Sequence, residues 1–358
     1  MLTGGTNHLN KKVMSDLTQQ IASLHRGNHE VVIVSSGAVA AGREKLGKTN
    51  EKRKDIPYKQ VLASVGQSQL MSAYEHLFSK HNITIAQALL TKSDLSRRAG
   101  YLNARNTLLA LIDLGVICIV NENDVVSTDE IKETKFGDND NLSSMVAGLV
   151  DADLLVLLTD IDGLFDSNPN TDPAAKLVKK VSEINQRIQR MASRSAGERG
   201  VGGMATKIEA ARQATACGIT VVIANGLKPQ ILEQIVAGKQ IGTFFQPSSS
   251  KIESKKRWII SGLASKGTLV IDNGATIAVQ MRNKSLLPAG ILDMEGKFQR
   301  GDIVDIKNEK GNRIGCGITN YSSTEISAIK GLHSRLVSKK LGHDYGSEII
   351  HRNNMAIM

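Results

Sequence analysis

Lys207 follows a cluster of glycines in the segment Gly200-Val201-Gly202-Gly203-Met204-Ala205-Thr206-Lys207, where a helical pattern begins. Glycines let backbone N–H groups come close to a phosphate, and the start of a helix adds partial positive charge. A lysine in a first helical turn opposes the helix dipole, which favours acids at that end. An anion lying opposite gives it a better reason to be there. The spacing does not fit Gly-x-x-x-x-Gly-Lys-Ser/Thr, so the segment is not a P-loop. A second glycine segment, Gly137-Asp138-Asn139-Asp140-Asn141, also precedes a helical stretch. Taken singly, each reads first as an ordinary flexible turn.

Three further polar groups end apolar runs. Val34-Ser35-Ser36-Gly37-Ala38-Val39-Ala40-Ala41-Gly42 carries a strand into small residues, which leave room for a ligand or serve close packing. Asn121-Glu122-Asn123-Asp124 closes the run Val116–Val120, and Thr159-Asp160 closes another. Open α/β sheets bind ligands outside the carboxyl ends of their strands. Three strand ends and two glycine segments on that edge together point to a site for a nucleotide and a small acid. The three cysteines, Cys118, Cys217 and Cys316, fit neither a metal site nor a disulfide framework. Buried free thiols in a reducing cytoplasm are the expectation.

These groups need a scaffold, and the first 245 residues supply alternating strand and helix patterns. Strands are expected at Glu30–Ser35, Ile83–Leu90, Val116–Asn121, Asp153–Thr159 and Ile219–Ala224, several of them continuous apolar runs suited to burial on both faces. Helices are expected at Asn10–His25, Lys59–Lys80, Ala104–Leu114, Asn141–Val150 and Ala205–Cys217. The alternation predicts an α/β domain with a mainly parallel sheet sandwiched by helices. Gln246-Pro-Ser-Ser-Ser-Lys marks a boundary. The expected organisation is a domain at 1–245, a linker at 246–264, a small β-rich domain at 265–347 and a tail at 348–358. In the β-rich part, Asp272-Asn273-Gly274 and Asn308-Glu-Lys-Gly311 read as tight turns between alternating strands.

Charge and composition narrow the partners. Of the formal net charge of +10, the stretch from residue 246 onward carries 17 Lys+Arg against 10 Asp+Glu. With no aromatic run beside it, this reads as a solvated basic surface; nucleic acid or an anionic ligand is the alternative. The apolar stretch Met145 to Leu158 is interrupted by Asp151 and Asp153 and does not read as a membrane span. No secretory signal is legible at the start.

The segments Val-Ser-Ser-Gly-Ala-Val-Ala-Ala-Gly-Arg, Asn-Glu-Asn-Asp, Gly-Asp-Asn-Asp-Asn-Leu-Ser, Leu-Thr-Asp-x-Asp-Gly-Leu and Gly-Val-Gly-Gly-Met-Ala-Thr-Lys occur in the order seen in the amino acid kinase family. Within that family they resemble the glutamate 5-kinases most. Ser285-Leu-Leu-Pro-Ala-Gly-Ile with Phe298-Gln-Arg-Gly-Asp resembles the PUA domain that many bacterial members carry. The resemblance implies the amino acid kinase fold followed by a PUA-like domain, with ATP and Mg as cofactors and glutamate as phosphoryl acceptor. It implies that Ser36, Asp124 and Asn139 hold the glutamate, with Asp140 beside them, and that Thr159 and Asp160 lie against the nucleotide. Val201, Gly202, Gly203, Met204, Ala205 and Thr206 would form the ATP loop, with Lys207 and Asp140 as the catalytic pair. It further implies a cytoplasmic homo-oligomer in proline biosynthesis, with glutamyl phosphate reductase consuming the product.

Family members begin with a strand of the type apolar-apolar-Lys-x-Gly-Ser/Thr just before a Leu-Thr-Gly-Gly-like segment, whereas this sequence opens at Met1-Leu2-Thr3-Gly4-Gly5. The expectation is that the natural product starts upstream. A chain beginning at Met1 is expected to show weak or no kinase activity. The competing expectation is a catalytically impaired kinase-fold protein whose PUA domain binds RNA or regulates; the intact Lys207 and Asp140 motifs argue against it. Acetylglutamate kinase is disfavoured by the appended domain.

Overall fold

The structure is a computed structural model that describes residues 8–47, 55–126, 138–169, 171–194, 203–247 and 265–357. The chain divides into two compact units, Met1–Ser96 with Ala104–Ser249, and Arg97–Asn103 with Ser250–Met358.

In the first unit the described elements run α1 (Lys11–Arg26), β1 (Val32–Val34), α2 (Ala38–Leu46), α3 (Ile56–Ser79), β2 (Ile85–Leu90), α4 (Lys92–Ser96), α5 (Arg98–Asp113), β3 (Ile117–Glu122), α6 (Asp138–Leu149), β4 (Leu154–Thr159), β5 (Lys180–Val181), α7 (Gln186–Arg194), α8 (Gly203–Ala216), β6 (Thr220–Asn225), α9 (Ile231–Val236) and β7 (Thr243–Phe245). Helix α5 continues from the stretch that clusters with the second unit. Local chemistry fixes several ends. Asn10 caps α1 by accepting from the Val13 N–H, and Asp55 caps α3 by accepting from Tyr58, with Pro57 in the first turn.

The described strands form two sheets. One has the order β1-β3-β2 and is parallel throughout; the other has the order β4-β6-β7-β5, with β7 antiparallel to β6. Every residue of β3 is buried, the apolar run Ile117–Val120 and also Asn121 and Glu122 that follow it. In β6, Val221 and Ile223 enter a core with α8, while Val222 and Ala224 enter another with α1 and α9. This is the alternation of a strand covered on both faces.

Helix α1 belongs to both sheets. Its Met14 and Ala22 pack into the core that contains Ile117 and Ile119 of β3, whereas its Val13 and Leu17 pack into the core of Val222 and Ala224. Helix α6 also packs against β1, β3 and β4.

The second unit continues with β8 (Gly267–Ile271), α10 (Asn273–Met281), β9 (Ile291–Gly296), β10 (Ile303–Asn308), β11 (Arg313–Ile318), α11 (Ser323–Ile329), α12 (Val337–Leu341) and β12 (Met355–Ile357). Its five strands take the order β12-β11-β10-β8-β9, antiparallel except for β8 beside β10. Leu269, Ile271, Val304, Ile306 and Tyr321 form the centre of its core. The expected turn at Asn308–Gly311 joins β10 to β11, with Gly311 at φ 78°.

The expected tight turn at Asp272-Asn273-Gly274 is instead a helix start. Asp272 accepts from the Ala275 N–H at 2.6 Å and caps α10. Asp followed by Asn-Gly serves an N-cap as well as a hairpin, and the local sequence does not distinguish them. Of the second glycine segment, Asp138 to Asn141 lie in α6, and Gly137 lies outside the described residues. Cys118 and Cys316 are buried as expected, but Cys217, just past the end of α8, is exposed.

Candidate functional site

Helices α6 and α8 carry the described parts of the two glycine segments, from Asp138 and from Gly203, and they pack together. Ser144 on α6 donates to Gln213 Oε1 on α8 at 2.8 Å, fixing their register. One turn from the helix starts, Lys207 Nζ lies 2.9 and 3.0 Å from the two carboxylate oxygens of Asp140. The Thr206 hydroxyl donates to Asp140 Oδ2 at 2.7 Å. Both charged side chains are largely shielded, at 14% exposure for Lys207 and 17% for Asp140. The carboxylate therefore holds the ammonium in place at the positive end of α8, where an anion is favoured. Met204 is buried in the core beneath α8 and Gly203 is exposed at the helix start, as is Ala205. Val201 and Gly202 lie outside the described residues.

The first strand end is built by close packing. Ser35 N–H donates to Val120 O at 2.9 Å, and its hydroxyl shares a 2.9 Å hydrogen bond with Tyr74. Burial raises the Tyr74 phenol well above its ordinary value, and the Ser35 bond only partly offsets this. Ser36 is exposed, and Gly37, at φ 111°, turns the chain into α2. A Cβ on Gly66 of α3 would stand 1.7 Å from Ala38 O, and one on Gly42 would stand 1.9 Å from Leu62 O. Two glycines therefore let the α2 and α3 backbones touch, which fixes the turn that presents Ser36.

The second strand end hangs on α3. Asn121 Oδ1 accepts from the Glu122 N–H at 2.9 Å, and Asn121 Nδ2 donates to Gln67 Oε1 at 2.8 Å. Gln60 Nε2 donates to the carbonyls of Asp124 and Val125 at 3.2 and 3.0 Å. Residues seven apart share a helix face. Gln60 and Gln67 thus form a polar edge on a largely apolar helix and hold the loop that carries Asp124.

At the third strand end the Thr159 hydroxyl donates to Asp160 at 3.2 Å, and Gly226 N–H donates to Thr159 O at 2.9 Å. Nearby, Lys228 Nζ lies 2.6 Å from Asp162, which also accepts from Asn225 at 3.1 Å. The Lys228 hydrogen bond holds the Asp162 carboxyl below its usual range.

Of the expected residues, Asp140, Thr206 and Lys207 are brought into direct contact. Ser36, Asp124, Asn139, Thr159 and Asp160 sit at strand ends or at the start of α6, on elements that α6 links. Gln60, Gln67, Asp162, Asn225 and Lys228 were not singled out from the sequence. Asn225 ends an apolar run as Asn121 does, and the seven-residue spacing of the two glutamines was legible.

Three buried polar atoms, Asn139 Oδ1, Asn141 Oδ1 and Gln67 Nε2, have no hydrogen-bond partner among the described residues. Burying such atoms is costly unless something completes them, so they fit a site that receives a polar ligand. Among the described residues no group of His, Cys, Asp and Glu could hold a metal ion by itself. A divalent ion here would fit as one carried in on phosphate oxygens, the usual habit of Mg²⁺.

Residues 3–225 match the family model described as the amino acid kinase family, and residues 267–341 match the PUA domain. Over 358 residues the chain is 54% identical to the glutamate 5-kinase of Dehalococcoides mccartyi, covering 100% of this chain and 96% of that one. It is 46% identical to the glutamate 5-kinase of Herpetosiphon aurantiacus over 355 residues, 99% of this chain and 95% of the other. With the Geobacter sulfurreducens glutamate 5-kinase the identity is 44% over 358 residues, 100% and 95% of the two chains.

Proposed function

The chain belongs to the amino acid kinase family, in its glutamate 5-kinase branch with a C-terminal PUA domain, and on that premise we propose that it transfers the terminal phosphoryl group of ATP to the side-chain carboxylate of glutamate. The observation that carries this reading is the shielded Lys207–Asp140 pair at the start of α8.

A carboxylate nucleophile is already ionised at neutral pH, so the reaction requires no general base. The difficulty is bringing one anion up to another, and catalysis is then positioning and charge neutralisation. Lys207 meets the transferring phosphoryl group, and Asp140 with Thr206 aims the ammonium. Gly203 and the backbone N–H groups at the start of α8 face the phosphates. Thr159 and Asp160 border the nucleotide. Ser36, Asp124 and Asn139 hold the glutamate from three different elements. Mg²⁺ bound to the nucleotide supplies further charge neutralisation. The product is an acyl phosphate, reactive toward water, so a reductase that consumes it promptly is the expected partner, as in proline biosynthesis.

The test is trapping with hydroxylamine. ATP and glutamate together should yield the hydroxamate, and neither alone should. A folded protein that gives product from N-acetylglutamate or aspartate but not from glutamate overturns the reading.

A further inference from the structure

We propose that Gln67 is a further substrate-binding residue, donating a hydrogen bond from Nε2 to the glutamate carboxylate that is not phosphorylated; this rests on the glutamate reading given above. The argument starts from a chain of hydrogen bonds that fixes the orientation of two amides. The Glu122 backbone N–H can only donate, so the Asn121 atom that receives it must be the oxygen. The other end of that amide is then Nδ2, a donor, and it faces Gln67 Oε1 at 2.8 Å. Flipping both amides would set Nδ2 against a backbone N–H. Gln67 Nε2 is therefore left pointing elsewhere, and it is buried with no partner among the described residues.

Its neighbour on the same helix face shows what the alternative looks like. Gln60 spends both N–H groups on the carbonyls of Asp124 and Val125. The Gln67 amide has no such acceptor. It is held between two elements expected to grip glutamate: the preceding residue, Gly66, touches the carbonyl of Ala38, two residues beyond Ser36, and its own oxygen is tied to the strand that leads to Asp124. A buried N–H pair at that place suits an anionic acceptor, since charge-assisted bonds are the stronger kind. Lys207 is on α8, which packs on the four-stranded sheet, while Gln67 is tied to β3 of the parallel sheet. The phosphorylated end belongs with Lys207, and the α-carboxylate with Gln67.

Gln67→Glu tests this, because it keeps an acceptor for Asn121 while replacing the free donor by a carboxylate. On the full chain, calorimetric binding of glutamate should weaken about tenfold to a hundredfold. The KM for ATP should stay within about twofold. γ-Aminobutyrate, which lacks the α-carboxylate, should bind the wild type and the variant equally weakly. Gln67→Met reports the same loss of donor should the glutamate variant be poorly folded. Unchanged glutamate affinity in a variant of a glutamate-phosphorylating wild type overturns this inference alone. A wild type that neither binds nor phosphorylates glutamate overturns the function reading and this inference with it.

Discussion

Lys207 and Asp140 meet across two helices with both carboxylate oxygens within 3.0 Å of one ammonium, in a place where water reaches little of either. Each group is thus set by the other. Lys207→Ala should lower kcat by about 10²–10³, the scale seen when one preorganised transition-state donor is removed. Asp140→Asn should leave the fold intact and also reduce kcat, because the lysine loses its aim but not its charge. Hydroxamate formation under saturating substrates measures both.

The glycine contact between α2 and α3 sets up a paired prediction. Gly66→Ala drives a methyl group into the Ala38 carbonyl, 1.7 Å away, where only backbone can yield. Overpacking of this kind costs about 1–3 kcal/mol or more. It should also raise the KM for glutamate, because the shifted turn carries Ser36. Gly148 lies inside α6 with no atom within 4 Å of its would-be Cβ. Gly148→Ala should therefore be neutral or stabilise by up to about 1 kcal/mol. Denaturant unfolding of the two variants checks the contrast.

Arg105 is 1% exposed, donating to the Leu149 carbonyl and lying 2.6 Å from Asp151. Removing one partner of a buried charged pair typically costs about 3–5 kcal/mol. The Asp151 carboxylate, 38% exposed, can rehydrate, which places Arg105→Met near the lower end. A drop in unfolding free energy well under about 1 kcal/mol would show that the guanidinium contributes little net stability.

Stability should fall at alkaline pH. Burial raises the Tyr74 phenol and pushes the Cys118 thiol up to about 11. Both groups therefore keep their protons in the folded state after the unfolded chain has begun to lose them, the phenol at about pH 10. The unfolded state then binds fewer protons, and unfolding free energy decreases as pH rises through that window. Tyr74→Phe should flatten the decline between about pH 9 and 11, read from urea midpoints at successive pH values. An unchanged slope would count against the burial argument.

The elements that carry the site were largely legible because their patterns are strong. The apolar run in Val116–Asn121 read as a strand buried on both faces and became β3, and the helix expected at Asn10–His25 became α1. Lys207 was legible as a charge out of place at a helix start. The polar side chains that orient the site were not. Gln67 meets Asn121 54 positions away, and Lys228 meets Asp162 66 positions away. No local pattern encodes such pairs, which exist only once the strands are aligned. Asp272 was misread because one tripeptide satisfies two turn chemistries. The antiparallel β7 was not anticipated either, since strand direction depends on where the chain returns.

Helix α1, shared by two hydrophobic cores, sets how the first unit breathes. Undocking it uncovers Ile117 and Ile119 on one side and Val222 and Ala224 on the other in a single event. Local openings of proteins come in cooperative blocks, and a shared covering element merges two such blocks into one. Amide protons in β3 and in β6 should then exchange with solvent deuterium with a common opening free energy, though no ladder hydrogen bond joins those strands. Ligands that tighten either half would slow exchange in both.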